Sequence, residues 1–190
     1  ADAQVFVGQT FGKYELLEVI GRGGMGMVLK GRHEALGRDV AVKLLQPGLG
    51  DPSFRQRFLR EARLLAGLRH PNIVEVHDFD VSPGDVPYCV MEYLEGESLA
   101  ALLARAPGGL SPARAVQVAR GIADALAFAH AHDVVHRDLK PDNVFLARID
   151  GRERIKLLDF GIAFVLAESP QAMTRLTEAG HVIGTPQYFA

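Results

Sequence analysis

The run His136-Arg137-Asp138-Leu139-Lys140-Pro141-Asp142-Asn143 crowds charged and amide side chains around a proline, directly after a long stretch of helical periodicity. Proline lacks the N–H that a helix interior needs, so the run cannot continue that helix and reads as a loop that ends it. Each residue taken singly is explained as a solvated loop charge. Taken together they offer a chemistry. Asp138 is placed to accept the proton of an attacking hydroxyl, and Asn143, five residues on, can turn its amide oxygen to a hard cation.

Working outward, Leu157-Leu158-Asp159-Phe160-Gly161 ends an apolar run with a carboxylate, an aromatic ring and a glycine that permits a sharp change of direction. A carboxylate there suits Mg²⁺, although a turn aspartate is the plainer explanation of Asp159 by itself. Near the start of the chain, Gly21, Gly23 and Gly26 form GxGxxG, with Val28 two residues further. That spacing lets backbone N–H groups approach phosphate oxygens unobstructed. The dinucleotide-binding fingerprint would need a helix next, whereas residues 27–32 read as a strand. No Gly-Lys-Ser/Thr follows, which excludes a P-loop. Val40-Ala41-Val42-Lys43 sets a lysine in an apolar strand, on the face of Ala41 and Leu45. Such a lysine either snorkels to solvent or needs a buried partner, and Glu61 on the following helix is the candidate.

Residues 14–20, 27–32 and 40–45 read as three antiparallel strands, and residues 73–79 and 88–93 as two more. Between them, Asp51-Pro52 is a good helix start, and Phe54, Phe58, Ala62 and Leu65 recur at helical spacing. The first part, residues 1–95, is therefore expected to be a five-stranded sheet with one helix. Residues 96–190 open as a helical layer. A short helix is expected at 98–105, and a longer one after Ser111-Pro112 with Val116, Ala119, Ile122, Ala123 and Leu126 on its apolar face. Residues 144–146 and 155–158 form a hairpin around Asp150-Gly151, and residues 163–190 read as a long loop. The fold class is α+β.

Composition narrows the function by exclusion. Twenty-one basic residues nearly cancel 23 acidic ones, for a net charge of −2, so nothing draws the chain to nucleic acid or anionic lipid. The most apolar long stretch, 113–131, is interrupted by Arg114, Arg120 and Asp124 and cannot span a membrane. The single cysteine, Cys89, fits a reducing compartment, which makes the cytoplasm the expected location. Residues 1–10 have neither the basic start nor the apolar run of a signal peptide, and the chain does not begin with Met, so an excised segment is expected.

In this order, GxGxxG with its valine, the strand lysine, HRDLKPDN, DFG and the final GTPQYFA resemble the signature set of protein kinases, most closely the eukaryotic-like serine/threonine kinases of bacteria. The resemblance runs from Phe11 onward and implies a bilobal kinase-like fold with ATP and Mg²⁺ or Mn²⁺ as cofactors. It implies that residues 20–28, including Ile20, Gly21, Gly23, Gly24, Gly26 and Val28, cover the ATP phosphates. Ala41, Met91 as gatekeeper, Glu92 and Leu94 would line the adenine site. Lys43 would hold phosphates and pair with Glu61, Asp138 would be the catalytic base beside Lys140, and Asn143 and Asp159 would hold the metal. Arg137 marks a kinase switched by loop phosphorylation, with Thr174 and Thr177 as acceptors and Thr185 in the substrate-binding loop.

The implied reaction transfers the γ-phosphoryl of ATP to Ser or Thr hydroxyls of proteins, the loop threonines of the chain among them. Alternatives are an ATP-binding pseudokinase scaffold and a small-molecule phosphotransferase; Lys140-Pro141 and GTPQYFA speak against the latter. The family continues beyond Ala190, so uncovered apolar surface along 113–131 is expected, with a membrane-anchored parent and pairing of two copies through the first lobe as further expectations.

Overall fold

The structure, a computed structural model, describes residues 3–23, 26–45, 66–82 and 84–160. It divides into two compact units. The first draws on Ala1–Ala66 and Glu75–Tyr93, the second on Gly67–Val74 and Leu94–Ala190.

The first unit is an antiparallel sheet of β1 (Thr10–Phe11), β2 (Tyr14–Gly23), β3 (Gly26–His33), β4 (Arg38–Leu45), β5 (Val76–Val81) and β6 (Pro87–Glu92), in the order β1-β2-β3-β4-β6-β5. Six strands stand where five are expected. The additional one is two residues long, too short to leave a period in the sequence, and is held because Phe11 is buried edge-to-face against Tyr88, 5.3 Å between centroids. Phe11, Tyr14, Leu16, Leu29, Val40, Val42, Leu44, Tyr88 and Val90 form the core of this unit. Every residue from Val40 to Leu45 is buried, so β4 is covered on both faces. The fifth strand begins at Val76 rather than at Ile73; residues 72–74 instead lie along the second unit. The expected helix over residues 54–65 and the loop over 163–190 lie outside the described residues.

In the second unit, a three-stranded sheet joins β7 (Gly96–Ser98), β8 (Val144–Ile149) and β9 (Arg152–Leu157) in that order. The β8–β9 turn is Asp150-Gly151, both at positive φ (50° and 71°), as a tight two-residue hairpin turn requires. Helix α1 (Leu99–Ala104) starts under the Ser98 hydroxyl, which accepts from the Ala101 N–H at 3.1 Å. Helix α2 (Pro112–His130) is capped likewise by Ser111, with Pro112 in its first turn. Among the described residues no helix is long and apolar enough to cross a membrane.

The packed face of α2 is distinct from the apolar face expected to lie uncovered. It runs through Val118, Gly121, Ala125 and Ala129, whereas Val116 is 67% exposed. Helix α2 packs on β9 by close approach, and the small residues are the ones that permit it. A Cβ on Gly121 would sit 2.7 Å from the Ile155 Cβ. Overpacking of this kind costs about 1–3 kcal/mol, against about 1 kcal/mol gained from the better helix propensity of alanine. Gly121→Ala should therefore bring no gain and lower stability by up to about 2 kcal/mol in urea melts, where a surface Gly→Ala in a helix would raise it.

Candidate active site

The HRDLKPDN run forms the loop between α2 and β8, closing with a 3-10 turn at Pro141–Asn143. Within it the expected chemical residues converge on Asp138. The Lys140 Nζ lies 2.8 Å from its Oδ2. The Asn143 Nδ2 donates to Asp138 twice, to the backbone oxygen at 2.8 Å and to Oδ2 at 3.1 Å. A carboxylate held by a cation and an amide donor is fixed in direction, as a proton acceptor needs. With the nitrogen of its amide committed to Asp138, Asn143 keeps its Oδ1 for another ligand.

Asp159 stands just after β9 in the same unit, with φ at 58°. It is joined to the loop through its neighbours. The Leu158 N–H donates to the Asn143 backbone oxygen at 2.9 Å, and the Leu158 oxygen lies 2.8 Å from His136 Nε2. A carbonyl only accepts, so Nε2 carries the hydrogen; the Asp138 N–H points at Nδ1 (3.4 Å), so Nδ1 is bare. His136 is thus the neutral imidazole tautomer, 2% exposed and lying against the Phe160 ring at 4.6 Å. Burial holds its pKa below the ordinary 6.5, against the opposing pull of the Leu158 carbonyl, Asp159 and Asp138. His136 heads the polar run without a role of its own in the sequence reading. Nothing in the sequence distinguishes it from a solvated loop histidine.

The donor set fits a magnesium ion. Asp159 and Asn143 offer hard oxygens, and Mg²⁺ asks only one or two such groups of a protein when phosphates and water complete its shell. Among the described residues no three His, Cys, Asp or Glu side chains gather as a metal cage.

In the first unit, the glycine-rich residues lie on paired strands. Gly21 pairs with Val28, Gly23 with Gly26, Val28 with Lys43 and Ala41 with Met91. Gly26 has φ at 142°, and a Cβ there would meet the Leu44 backbone oxygen at 2.0 Å, so only glycine fits against β4. A register shift between Val19 and Gly21 leaves Ile20 at an irregularity of β2, 45% exposed. Lys43 is 7% exposed. The Glu92 carboxylate accepts from the Glu75 N–H at 2.8 Å, and the Glu92 N–H donates to the Glu75 oxygen at 2.9 Å. Leu94 opens the second unit's main segment. Arg137 is exposed, with φ at 65°. Gly24, Glu61, Thr174, Thr177 and Thr185 lie outside the described residues.

Comparison with known proteins gives the family of the chain. The profile of the protein kinase domain matches residues 14–190. The chain is 42% identical over 180 residues to the serine/threonine-protein kinase pkn2 of Myxococcus xanthus, covering 94% of this chain and 21% of that one. It is 41% identical over 182 residues to the serine/threonine-protein kinase PknB of Mycolicibacterium smegmatis, covering 94% of this chain and 28% of the relative. The chain thus spans between a fifth and a third of these curated relatives. Among solved structures, the PknI kinase domain of Mycobacterium tuberculosis superposes with a TM-score of 0.71 at 36% identity, over 82% of this chain and 62% of that one.

The neutral state of His136 has a pH consequence. With the folded pKa below 6.5, only the unfolded chain takes up this proton as pH first falls below 6.5. The stability tied to the neutral ring is whole above 6.5 and is lost as pH falls towards the folded pKa. In thermal melts, the stability gap between wild type and His136→Gln should narrow from pH 7 to pH 5, and the His136 ring in ¹⁵N spectra should stay neutral after exposed histidines have titrated.

Proposed function

The chain belongs to the protein kinase family, and from that premise we propose that it is the ATP-binding and catalytic part of a serine/threonine protein kinase. The observation that carries this reading is the Asp138 carboxylate, held at 2.8 Å by Lys140 and at 3.1 Å by Asn143 in a loop tied to the strand end that presents Asp159.

In the first unit, the paired glycine-rich strands offer backbone N–H groups to phosphate oxygens, and the buried Lys43 adds a positive charge for the α- and β-phosphates. Met91 and the backbones of Glu92 and Leu94 line the adenine site. In the second unit, Asp138 orients the acceptor hydroxyl and takes its proton. The hydroxyl oxygen bonds to the γ-phosphorus, the bond from that phosphorus to the bridging oxygen breaks, and the electron pair leaves on ADP. Lys140 faces the charge spread over the transferring group. Mg²⁺ held by Asn143 and Asp159 neutralises charge on the phosphate oxygens when bound. The Asp138-Leu139-Lys140-Pro141 form of the loop supports Ser and Thr acceptors in proteins. The exposed Arg137 is suited to a phosphothreonine at Thr174 or Thr177, its guanidinium pairing with the phosphate. Glu61 is the proposed partner of Lys43.

Intact mass after incubation with Mg²⁺ and ATP tests the reading, together with transfer to a Ser/Thr peptide. Removal of a general base costs about 10²- to 10⁴-fold in rate. Asp138→Asn should therefore lose that factor in transfer while binding ATP as the wild type does. Added phosphate should map to Thr174 or Thr177. Wild-type chain that binds ATP with Mg²⁺ yet transfers to neither itself nor peptide would make the scaffold reading the better one.

A further inference from the structure

On the face of the first sheet that carries Lys43, two rows of side chains run side by side across the strands. Lys30, Ala41 and Met91 stand opposite one another on β3, β4 and β6, and one step along, Arg32 stands opposite Asp39. Asp39 joins the rows. Its Oδ1 accepts from Arg32 Nε and Nη2, both at 3.1 Å, and its Oδ2 lies 3.0 Å from the Lys30 Nζ. That ammonium also lies over the Tyr93 ring, 4.6 Å from its centroid. Tyr93 follows β6 directly and is the last residue of the first unit.

The Lys30 and Asp39 side chains are 22% and 31% exposed, and ion pairs with such access to water add little to folding. What the arrangement supplies is aim. A lysine on its flexible four-carbon stem ordinarily ranges through solvent. Here the fork of Arg32 takes one oxygen of Asp39, and the other keeps the ammonium against the negative face of the ring. The register of β6 with β4 ends at Glu92, opposite Val40. Past that point, the contact with Lys30 is the only hydrogen bond, ion pair or ring contact of the Tyr93 side chain among the described residues. In the function proposed above, Ala41, Met91 and the backbones of Glu92 and Leu94 line the adenine site, and Tyr93 stands between the last two.

We propose that Lys30 and Tyr93 are positioning residues: an ammonium aimed by Asp39 onto the Tyr93 ring fixes the backbone that follows β6 where it borders the adenine base. This rests on the reading of the first unit as the adenine site. The clamp acts on the backbone rather than on the base. It sets that backbone before the nucleotide arrives, so that less freedom is lost on binding.

The test is binding of ATP, adenosine and inorganic tripolyphosphate to the chain, read by displacement of a fluorescent ADP analogue, for wild type, Lys30→Met, Tyr93→Leu and the double variant. Loss of a cation–ring contact at a partly exposed site is worth about two- to fivefold in affinity. Lys30→Met should weaken ATP and adenosine by about that factor, leave tripolyphosphate unchanged and keep the wild-type melting midpoint. Tyr93→Leu should do the same, and the double variant should lose no more than either single one. Lys30→Arg, which keeps a cation for the ring, should bind as wild type does. A loss for ATP and tripolyphosphate with adenosine untouched would make Lys30 a mere attractor of phosphate charge, and that result overturns the proposal. Additive losses in the double variant, a lowered midpoint with unchanged affinity, and failure of both single variants to fold each overturn it too. The two levels of inference separate cleanly. Wild-type chain that binds neither ATP nor adenosine removes the adenine site and the clamp with it, whereas normal adenosine binding by Lys30→Met removes the clamp alone.

Discussion

One uncharged imidazole joins the two halves of the chemistry in the second unit. His136 accepts from the N–H of Asp138, the proposed proton acceptor, and donates to the carbonyl of Leu158, just before Asp159, the proposed metal ligand. Both bonds depend on the ring being neutral in one tautomer, because a protonated ring has no acceptor to offer Asp138. Burial favours that state. Phe160 lies tilted against the ring at 4.6 Å and is itself 4% exposed, so the aromatic pair excludes water from the hydrogen bonds that set the loop. Removing the ring would leave the Leu158 oxygen without a donor that it has in the folded chain, and would free the loop and the strand end to move separately.

The same bonds explain two unusual backbone angles. Arg137 and Asp159 both sit in the left-handed region, at φ of 65° and 58°. For a residue with a side chain this costs about 1–2 kcal/mol, least for Asp. Such angles persist only where the surroundings fix them. Arg137 lies between a buried ring and a carboxylate held by two neighbours; Asp159 lies between a bonded Leu158 and a buried Phe160. In each case the turn re-aims the chain at the position where a charged group is wanted, while the next apolar or aromatic neighbour stays inside.

The alternation of strands, both helix starts and the Asp150-Gly151 turn were legible because each is written in local chemistry: period-two apolar runs, serine caps, an Asp-Gly pair. The convergence of Lys140 and Asn143 on Asp138 was legible for a similar reason, since all three lie within one short loop. What escaped depends on contacts distant in sequence. The strand at Thr10–Phe11 exists through Tyr88, far along the chain. The apolar residues at 73 and 74 read as the start of a strand in the first sheet, yet their partners are residues 155–157 in the other unit's sheet. The apolar face of α2 was expected to lie uncovered, and Val116 does; its packed face was not legible, because Gly121 and Ala125 mark it rather than large apolar residues.

That packed face belongs to the support of the site. A helix faced with Leu or Ile would stand off from β9 at the usual distance of packed layers; a glycine at position 121 brings its backbone against Ile155. Ile155 in turn is the residue whose carbonyl receives Asn72, and the next position along the strand is Lys156. The end of β9 is therefore fixed from three directions: by the close approach of α2, by β8 on one edge, and by residues 72–74 on the other.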